Sequence, residues 1–194
     1  MKRVVLGLEK LLANPSEYLC GSTLGLVVNQ TSLTCDGQFS IGQFHSNKSF
    51  KLKALLAPEH GIYGVEQDMA LVADETDPLS GLSVQSLYGT DASSLAPSPT
   101  LLNGIDNLVF DIQDIGSRYY TFIYTLANCM KTCAISNTRM IVCDRPNPIN
   151  GVAVEGNLVK KKFQSFVGQY PIPNRHGMTI GELAILFNEY FGIK

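Results

Sequence analysis

Tryptophan is absent from the 194-residue sequence, and charged residues supply only 16% of it, below the ~25% of ordinary globular proteins. The formal net charge is −2, and the basic run Lys160-Lys161-Lys162 is short. This balance argues against a nucleic-acid partner or an anionic membrane surface, and we interpret the lysine run as a solvated loop. No stretch approaches the ~20 apolar residues of a membrane-spanning helix. The sequence therefore predicts a compact protein that binds neither nucleic acid nor membrane.

A convincing signal peptide is also lacking. The apolar run that follows Met1-Lys2-Arg3 ends at Glu9 and Lys10, before it reaches the length of about 7–15 residues that such a segment needs. As written, the chain is expected to be cytoplasmic, and export of a form with a longer start stays open.

Cysteine is scarce and odd in number, and most of the five residues lie in apolar contexts, so we expect buried thiols. They are Cys20, Cys35, Cys129, Cys133 and Cys143. Two thiols that share a helical face, Cys129 and Cys133, are too few for a zinc site. No glycine-rich phosphate loop follows the first predicted strand, and no G-x-S-x-G motif occurs. We therefore expect no metal and no cofactor.

Strand and helix patterns alternate along the chain. Apolar segments predict strands at Thr23–Val28, Leu52–Ala57, Val84–Tyr88, Asn107–Ile112 and Met140–Cys143, with a long irregular connection over Gly61–Ser80. Helices are predicted over Leu6–Leu12, from a cap at Asp36 to about His45, briefly near Leu101, from a cap at Ser117, and behind the capping box Thr179–Glu182. In the helix after Ser117, the spacing turns Tyr119 toward the core and leaves Tyr120 free. The pattern predicts an α/β fold, doubly wound, with a mostly parallel sheet and helices on both faces.

Polar residues follow the predicted strand ends, where ligands bind in open parallel sheets. These ends carry Asn29, Glu59, His60, Asp111, Gln113, Asp114, Asp144 and Arg145. Carboxylates with basic and aromatic neighbours suit a glycosidase, in which one acid protonates the leaving oxygen and another carboxylate supports attack. If the strand order is 3-2-1-4-5, Glu59 and Asp111 flank strand one. Strands about 4.8 Å apart then give the wider carboxylate separation of inverting enzymes.

Five motifs occur in order between about Gly7 and the end of the chain. They are Pro58-Glu59-His60-Gly61, Phe110-Asp111-Ile112-Gln113-Asp114 with Gly116, Arg118 and Tyr119, Asp144-Arg145-Pro146-Asn147-Pro148, Val154-Glu155-Gly156 and Arg175-His176-Gly177-Met178-Thr179. Together they resemble the exo-β-N-acetylmuramidases of the NamZ type. A departure is Tyr63, where such enzymes commonly carry Arg in the Glu-His-Gly segment.

The resemblance implies release of terminal N-acetylmuramic acid from peptidoglycan fragments, such as a muropeptide or a disaccharide. It implies a cleft between a Rossmann-like amino-terminal domain and a smaller second domain. We expect residues 1–194 to form the Rossmann-like catalytic domain, with the second domain absent from this chain and possible as a separate domain or chain. The alternative is a truncated, non-catalytic sugar-binding or structural remnant. A third hypothesis, a phosphosugar or nucleotide enzyme, is supported by fold analogy alone.

Each catalytic candidate has a structural alternative. The resemblance makes Glu59 the acid/base residue, and the alternative is a helix-capping carboxylate. His60 is expected to orient Glu59 or to bind sugar. Asp111 and Asp114 are equal candidates for the second carboxylate, or else bond to backbone donors and Arg118.

The lactyl carboxylate of muramic acid calls for a cationic partner, and the candidates are Arg118, Arg145 and Arg175. The predicted helix start at Ser117 would add an anion-binding helix N-terminus beside Arg118. A purely structural salt bridge is an equal alternative for this residue. Glu155 is either a second catalytic candidate or part of a surface loop, and His176 either binds ligand or satisfies a turn. The remaining predicted sugar contacts are Asn29, Gln113, Tyr120, Asp144 and Asn147.

Overall fold

The computed structural model describes residues 3–65, 75–88 and 92–193 of the chain. Its strands are β1 (Thr23–Val28), β2 (Lys51–Ala57), β3 (Glu75–Thr76), β4 (Ser83–Ser86), β5 (Asn107–Asp111) and β6 (Arg139–Val142). They form one sheet in the order β3-β4-β2-β1-β5-β6. All neighbours pair in parallel except β3, which runs antiparallel to β4 at the edge. The predicted order of the five parallel strands is confirmed.

The helices are α1 (Gly7–Ala13), α2 (Pro15–Tyr18), α3 (Ser40–Ser46), α4 (Phe122–Ser136) and α5 (Ile180–Ile185), and α5 continues as a π-helix over Leu186–Tyr190. Short 3₁₀ turns cover Ala92–Leu95 and Lys161–Phe163. None of the helices in the described part of the chain has the length and apolar character needed to cross a membrane.

Two apolar clusters, one on each face of the sheet, hold the layers together. Alternate residues of one strand serve opposite clusters, because successive side chains of a strand point to opposite faces. In β5, Val109 packs with α1 and α3, whereas Leu108 and Phe110 pack with α4 and α5. The predicted doubly wound α/β fold is therefore confirmed.

Several predicted boundaries were wrong. The helix expected from a cap at Asp36 begins at Ser40 behind Phe39, and the segment near Leu101 is a turn rather than a helix. The segment expected to be irregular contains β3, which pairs with β4. The predicted strands at Val84–Tyr88, Asn107–Ile112 and Met140–Cys143 are each shifted or shortened by one or two residues.

The helix predicted from Ser117 starts five residues later, at Phe122. Ser117 instead forms a β-bridge with Arg175, and the N–H of Arg118 donates to the carbonyl of Asn174 at 3.0 Å. Tyr119 consequently lies outside the helix and is 73% exposed, which contradicts its predicted core position. Two cysteines also differ from expectation, since Cys20 and Cys35 are exposed while the other three are buried.

Candidate active site

The carboxyl ends of β1, β2, β5 and β6 meet at one edge of the sheet. Their register pairs Val28 with Asp111, and Phe110 with Val142. The loops that leave these strands carry most of the polar residues predicted from the sequence. We call this edge the rim.

Glu59 lies in the loop that leaves β2. The turn is tight, because the N–H of Gly61 donates to the carbonyl of Pro58 at 3.1 Å. His60 has a φ of 71°, a left-handed conformation that is uncommon for a residue other than glycine. Such conformations persist where surrounding contacts impose them, and they cluster at functional sites. The turn presents the half-buried Glu59 side chain toward α4.

The Thr121 hydroxyl donates to Oε2 of Glu59 at 3.3 Å. Thr121 is the N-cap residue of α4 but has a helical φ and ψ and makes no side-chain capping bond. Its hydroxyl therefore serves the carboxylate and not the helix. This contact joins the loops after β2 and β5 across β1.

Glu59 and Thr121 open onto a narrow crevice, which we call the Glu59 crevice. The crevice has about 10 Å³ of room, enough for about one water molecule, within about 290 Å³ of empty space that includes open solvent. The other lining residues are Leu87, Tyr88, Leu95, Tyr124, Thr125, Asn128, Phe166 and Gln169.

Asp111 and Arg145 form a buried ion pair below the rim. Nη2 and Nε of Arg145 lie 2.7 and 2.9 Å from Oδ1 of Asp111, and the two side chains are 5% and 0% exposed. Arg145 also donates to the carbonyl of Leu33 at 3.0 Å, which ties in the segment after β1. Burial raises the pKa of Asp111, and the Arg145 charge opposes that shift. The pair fixes three rim segments against one another.

Asp114 and His176 form a second buried pair. Nε2 of His176 lies 3.0 Å from Oδ2 of Asp114, which also accepts a hydrogen bond from the N–H of Gly116 at 2.7 Å. Nδ1 of His176 accepts from the N–H of Met178 at 3.2 Å, and its Nε2 faces Asp114. His176 thus has the turn-fixing contact that was one of its two predicted roles.

Gly116 is required where the loop after β5 passes the loop after β6. Its φ is 85°, and a Cβ there would lie 2.4 Å from Oδ1 of Asn147. Nδ2 of Asn147 donates to the carbonyl of Met178 at 2.9 Å. Gln113 joins the same contact region through its Nε2, which donates to the carbonyl of Pro146 at 3.0 Å.

Arg118 bonds to the carboxyl-terminal segment and not to either predicted aspartate. Its Nε donates to Oδ1 of Asn174 at 2.9 Å, Nη1 to the carbonyl of Ile172 at 3.3 Å, and Nη2 to Oδ1 of Asn157 at 3.1 Å. The alternative in which Asp111 or Asp114 bonds to Arg118 is not among these contacts. The residue lines an open groove together with the exposed Lys160.

Arg175 and Glu155 pair at the surface, with Nη1 of Arg175 3.0 Å from Oε2 of Glu155. Their backbones also pair, because each N–H donates to the other residue's carbonyl at 2.9 to 3.0 Å. Glu155 is 65% exposed and lies in a surface segment, which matches its structural alternative.

Asp144 is committed to α5. Its Oδ1 accepts from the N–H of Gly181 at 2.8 Å, and its Oδ2 accepts from the hydroxyl of Thr179 at 3.1 Å. The predicted capping box of Thr179 and Glu182 is confirmed beside it. The structure thus gives Asp144 a clear structural task.

Asn29 and Tyr120 are the remaining predicted contacts. Asn29 is fully buried at the end of β1, and its Oδ1 accepts from the N–H of Thr31 at 2.9 Å. Its Nδ2 has no hydrogen-bond partner among the described residues. Tyr120 is 51% exposed, so its side chain is free to meet a ligand.

Of the ten residues that line the Glu59 crevice, only Glu59 was predicted from the sequence, and four of the others belong to α4 or its cap. Thr121, Tyr124, Thr125 and Asn128 recur at three- and four-residue spacing, so they form a second stripe on the N-terminal part of α4. The apolar stripe of the same helix concealed them. A search for a polar stripe beside the apolar one would have found them. In the described ranges, no three His, Cys, Asp or Glu side chains are grouped closely enough to hold a metal ion.

Comparison with known proteins shows which family this chain belongs to. The family model described as "Exo-beta-N-acetylmuramidase NamZ, N-terminal" matches residues 24–194. The chain belongs to this family. It is also 41% identical over 191 residues to the peptidoglycan β-N-acetylmuramidase NamZ of Bacillus subtilis (strain 168), covering 98% of this chain and 45% of that relative. The chain thus spans about half the length of the curated relative that it matches.

Two solved structures have the same fold as this chain. One DUF1343 family protein from Bacteroides fragilis NCTC 9343 is 38% identical with a TM-score of 0.86, over 98% of this chain and 47% of that one. A second from the same organism is 30% identical with a TM-score of 0.76, over 97% and 48%. Membership in the family and the Rossmann-like α/β fold were both predicted from the sequence, and both are confirmed.

Proposed function

We propose that this chain acts as the catalytic domain of an exo-β-N-acetylmuramidase, a glycosidase that releases terminal N-acetylmuramic acid from peptidoglycan fragments. The observation that carries the proposal is the position of Glu59. It is a half-buried carboxylate at a parallel-sheet rim, held by the Thr121 hydroxyl over a crevice of mixed polar and apolar lining. The family match covers this segment.

Glu59 is suited to general acid catalysis. A carboxylic acid at the mouth of a crevice can protonate the glycosidic oxygen as the bond to the anomeric carbon breaks. The Thr121 hydroxyl fixes one carboxylate oxygen and leaves the other free to meet the leaving group. His60 occupies the left-handed position of the turn that carries Glu59.

Asp111 and Asp114 support the rim from below. Each side chain is at most 4% exposed and faces a basic partner, Arg145 or His176. A nucleophile or base must reach the sugar or its attacking water, so this burial favours the structural alternative for both carboxylates. In this role they hold the loops on which Glu59 and Thr121 depend.

Arg118 is the best candidate for the lactyl carboxylate of muramic acid. Arg145 is committed to the buried Asp111, and Arg175 is paired with Glu155. Arg118 uses three of its five N–H groups on protein acceptors, and Lys160 adds a second positive charge to its groove. The groove is the support for this assignment. The helix N-terminus predicted beside Arg118 does not contribute, because the helix starts at Phe122.

The experiment is incubation of the protein with the disaccharide N-acetylmuramyl-β-1,4-N-acetylglucosamine, with mass spectrometry of the products. We expect free N-acetylmuramic acid and N-acetylglucosamine. N,N′-diacetylchitobiose, which lacks the lactyl group, is the control and should remain intact. Calorimetric binding of N-acetylmuramic acid without any release would favour the alternative, a sugar-binding domain without turnover.

A further inference from the structure

Tyr124 carries a buried hydroxyl that no residue in the described part of the chain binds. The side chain is 1% exposed, and its hydroxyl has no hydrogen-bond partner among the described residues. Nearly all buried polar atoms in folded proteins are partnered, because an unpartnered one destabilises the fold. A polar atom kept in this state needs another explanation, such as a ligand that completes its bonding.

Tyr124 lines the same crevice as Glu59 and Thr121. It lies one helical turn after Thr121 on α4, the spacing that places two side chains on one face. None of the described residues accepts a hydrogen bond from the hydroxyl. Burial raises the pKa of Tyr124 to about 12, so the hydroxyl stays protonated as a hydrogen-bond donor. Tyr124 therefore brings a donor to the crevice that Glu59 also lines.

Part of the crevice lining is apolar. Leu87, Leu95 and Phe166 line the crevice with Tyr124, and Phe166 is 46% exposed at its mouth. A group that fits this lining needs one acceptor oxygen and a small apolar end. Among the substituents of N-acetylmuramic acid, the 2-acetamido group has both, a carbonyl oxygen and a methyl.

The position also fits, because the 2-acetamido group is attached to the carbon next to the anomeric centre. An acid that protonates the glycosidic oxygen at that centre must therefore lie close to the acetamido group. Glu59 and Tyr124 share one crevice, so both groups of the same sugar can be met at once.

We infer that the Tyr124 hydroxyl is a specificity-determining contact that donates a hydrogen bond to the acetamido carbonyl of the sugar held at the Glu59 crevice. This inference rests on the proposed function, because it assumes an N-acetylated sugar at that site. Beyond that function, it names Tyr124 as the residue that distinguishes a sugar with a 2-acetamido group from one with a 2-hydroxyl group.

The test is calorimetry with two ligands, N-acetylmuramic acid and 3-O-lactylglucose, which carries a hydroxyl in place of the acetamido group. Wild-type protein should prefer N-acetylmuramic acid. Tyr124→Phe should lose roughly tenfold in affinity for N-acetylmuramic acid and keep its affinity for 3-O-lactylglucose. Tyr170→Phe is the matched control, since Tyr170 is a buried tyrosine that does not line the crevice, and its preference should equal that of wild type.

Equal losses for both ligands, or no loss for either, would overturn the inference. Failure of the wild-type protein to bind either ligand would contradict the proposed function and the inference with it, so the two failures are distinguishable. Thermal unfolding supplies a second check. Tyr124→Phe removes only an unpartnered hydroxyl and should unfold at the wild-type temperature or above it, whereas a lower temperature would reveal an internal partner and overturn the inference.

Discussion

The Arg145 guanidinium contacts Asp111 through both Nη2 and Nε, and neither side chain is more than 5% exposed. A charge pair of this kind stabilises the fold only while both members are present, because each alone is a buried uncompensated charge. The pair joins β5 to the segment after β6, and its bond to Leu33 reaches the segment after β1. The architecture of the rim thus depends on two residues that do not line the Glu59 crevice.

Asp111→Ala should lower the free energy of unfolding by about 3–5 kcal/mol, because it leaves Arg145 buried and unpaired. Glu155→Ala breaks the exposed pair with Arg175 and is the matched control, with an expected cost of about 0–1 kcal/mol. Urea denaturation of both variants measures the difference. A cost for Asp111→Ala as small as that of Glu155→Ala would show that the ion pair does not hold the rim.

Arg118→Ala should weaken binding of N-acetylmuramic acid by roughly 10- to 100-fold, as expected for loss of a charge-assisted hydrogen bond to the lactyl carboxylate. Binding of N-acetylglucosamine, which has no lactyl group, should change little. Calorimetry with both sugars gives the comparison. Arg139→Ala is the control, because Arg139 is exposed at the opposite end of β6. Equal losses for the two sugars would remove Arg118 from lactyl recognition.

Asp106 provides a test of stability against pH. Its carboxylate accepts hydrogen bonds from the N–H groups of Thr23 and Ser22 at 2.8 and 2.9 Å, and these bonds lower its pKa in the folded protein. A lowered folded-state pKa stabilises the protein above the unfolded-state pKa of about 3.9, and this stability is lost as pH falls through the folded value.

Asp106→Asn should therefore unfold at a lower temperature than wild type at pH 7, and the gap should narrow as the pH falls below about 4. Glu17→Gln, which changes an exposed carboxylate of α2, is the control and should show no such gap at pH 7. Thermal unfolding across this pH range supplies the measurement. A gap of constant size would mean that the ionised carboxylate is not what the two N–H groups recognise.

Much of the fold could be predicted because its signals are local. A buried parallel strand is a continuous apolar run, as in β1 and β5, and the capping box at Thr179 is complete within four residues. The cap expected at Ser117 failed for a non-local reason. Asn174, more than fifty residues away, bonds both the backbone N–H of Arg118 and the hydroxyl of Tyr119, and so holds this segment outside the helix.

In the candidate site, too, the residues with local signals could be predicted and their distant partners could not. Glu59 and the aspartates could be found because each lies at the end of a strand or shortly after it. Their partners could not, since the sequence does not show that Asp111 meets Arg145 and not Arg118, or that Asp114 meets His176. Tyr124 was hidden because a tyrosine within an apolar helix is expected to belong to the core, and only the structure shows that it lines the crevice.

The role of Glu59 is tested most directly by the rate at which N-acetylmuramic acid is released from N-acetylmuramyl-β-1,4-N-acetylglucosamine. Glu59→Gln keeps the size of the side chain and its acceptor for Thr121 but cannot donate the proton, so it should release the sugar at least about 100-fold more slowly than wild type. Its affinity for N-acetylmuramic acid should remain close to that of wild type. Release at the same rate by both proteins would contradict the assignment of Glu59 as the acid/base residue.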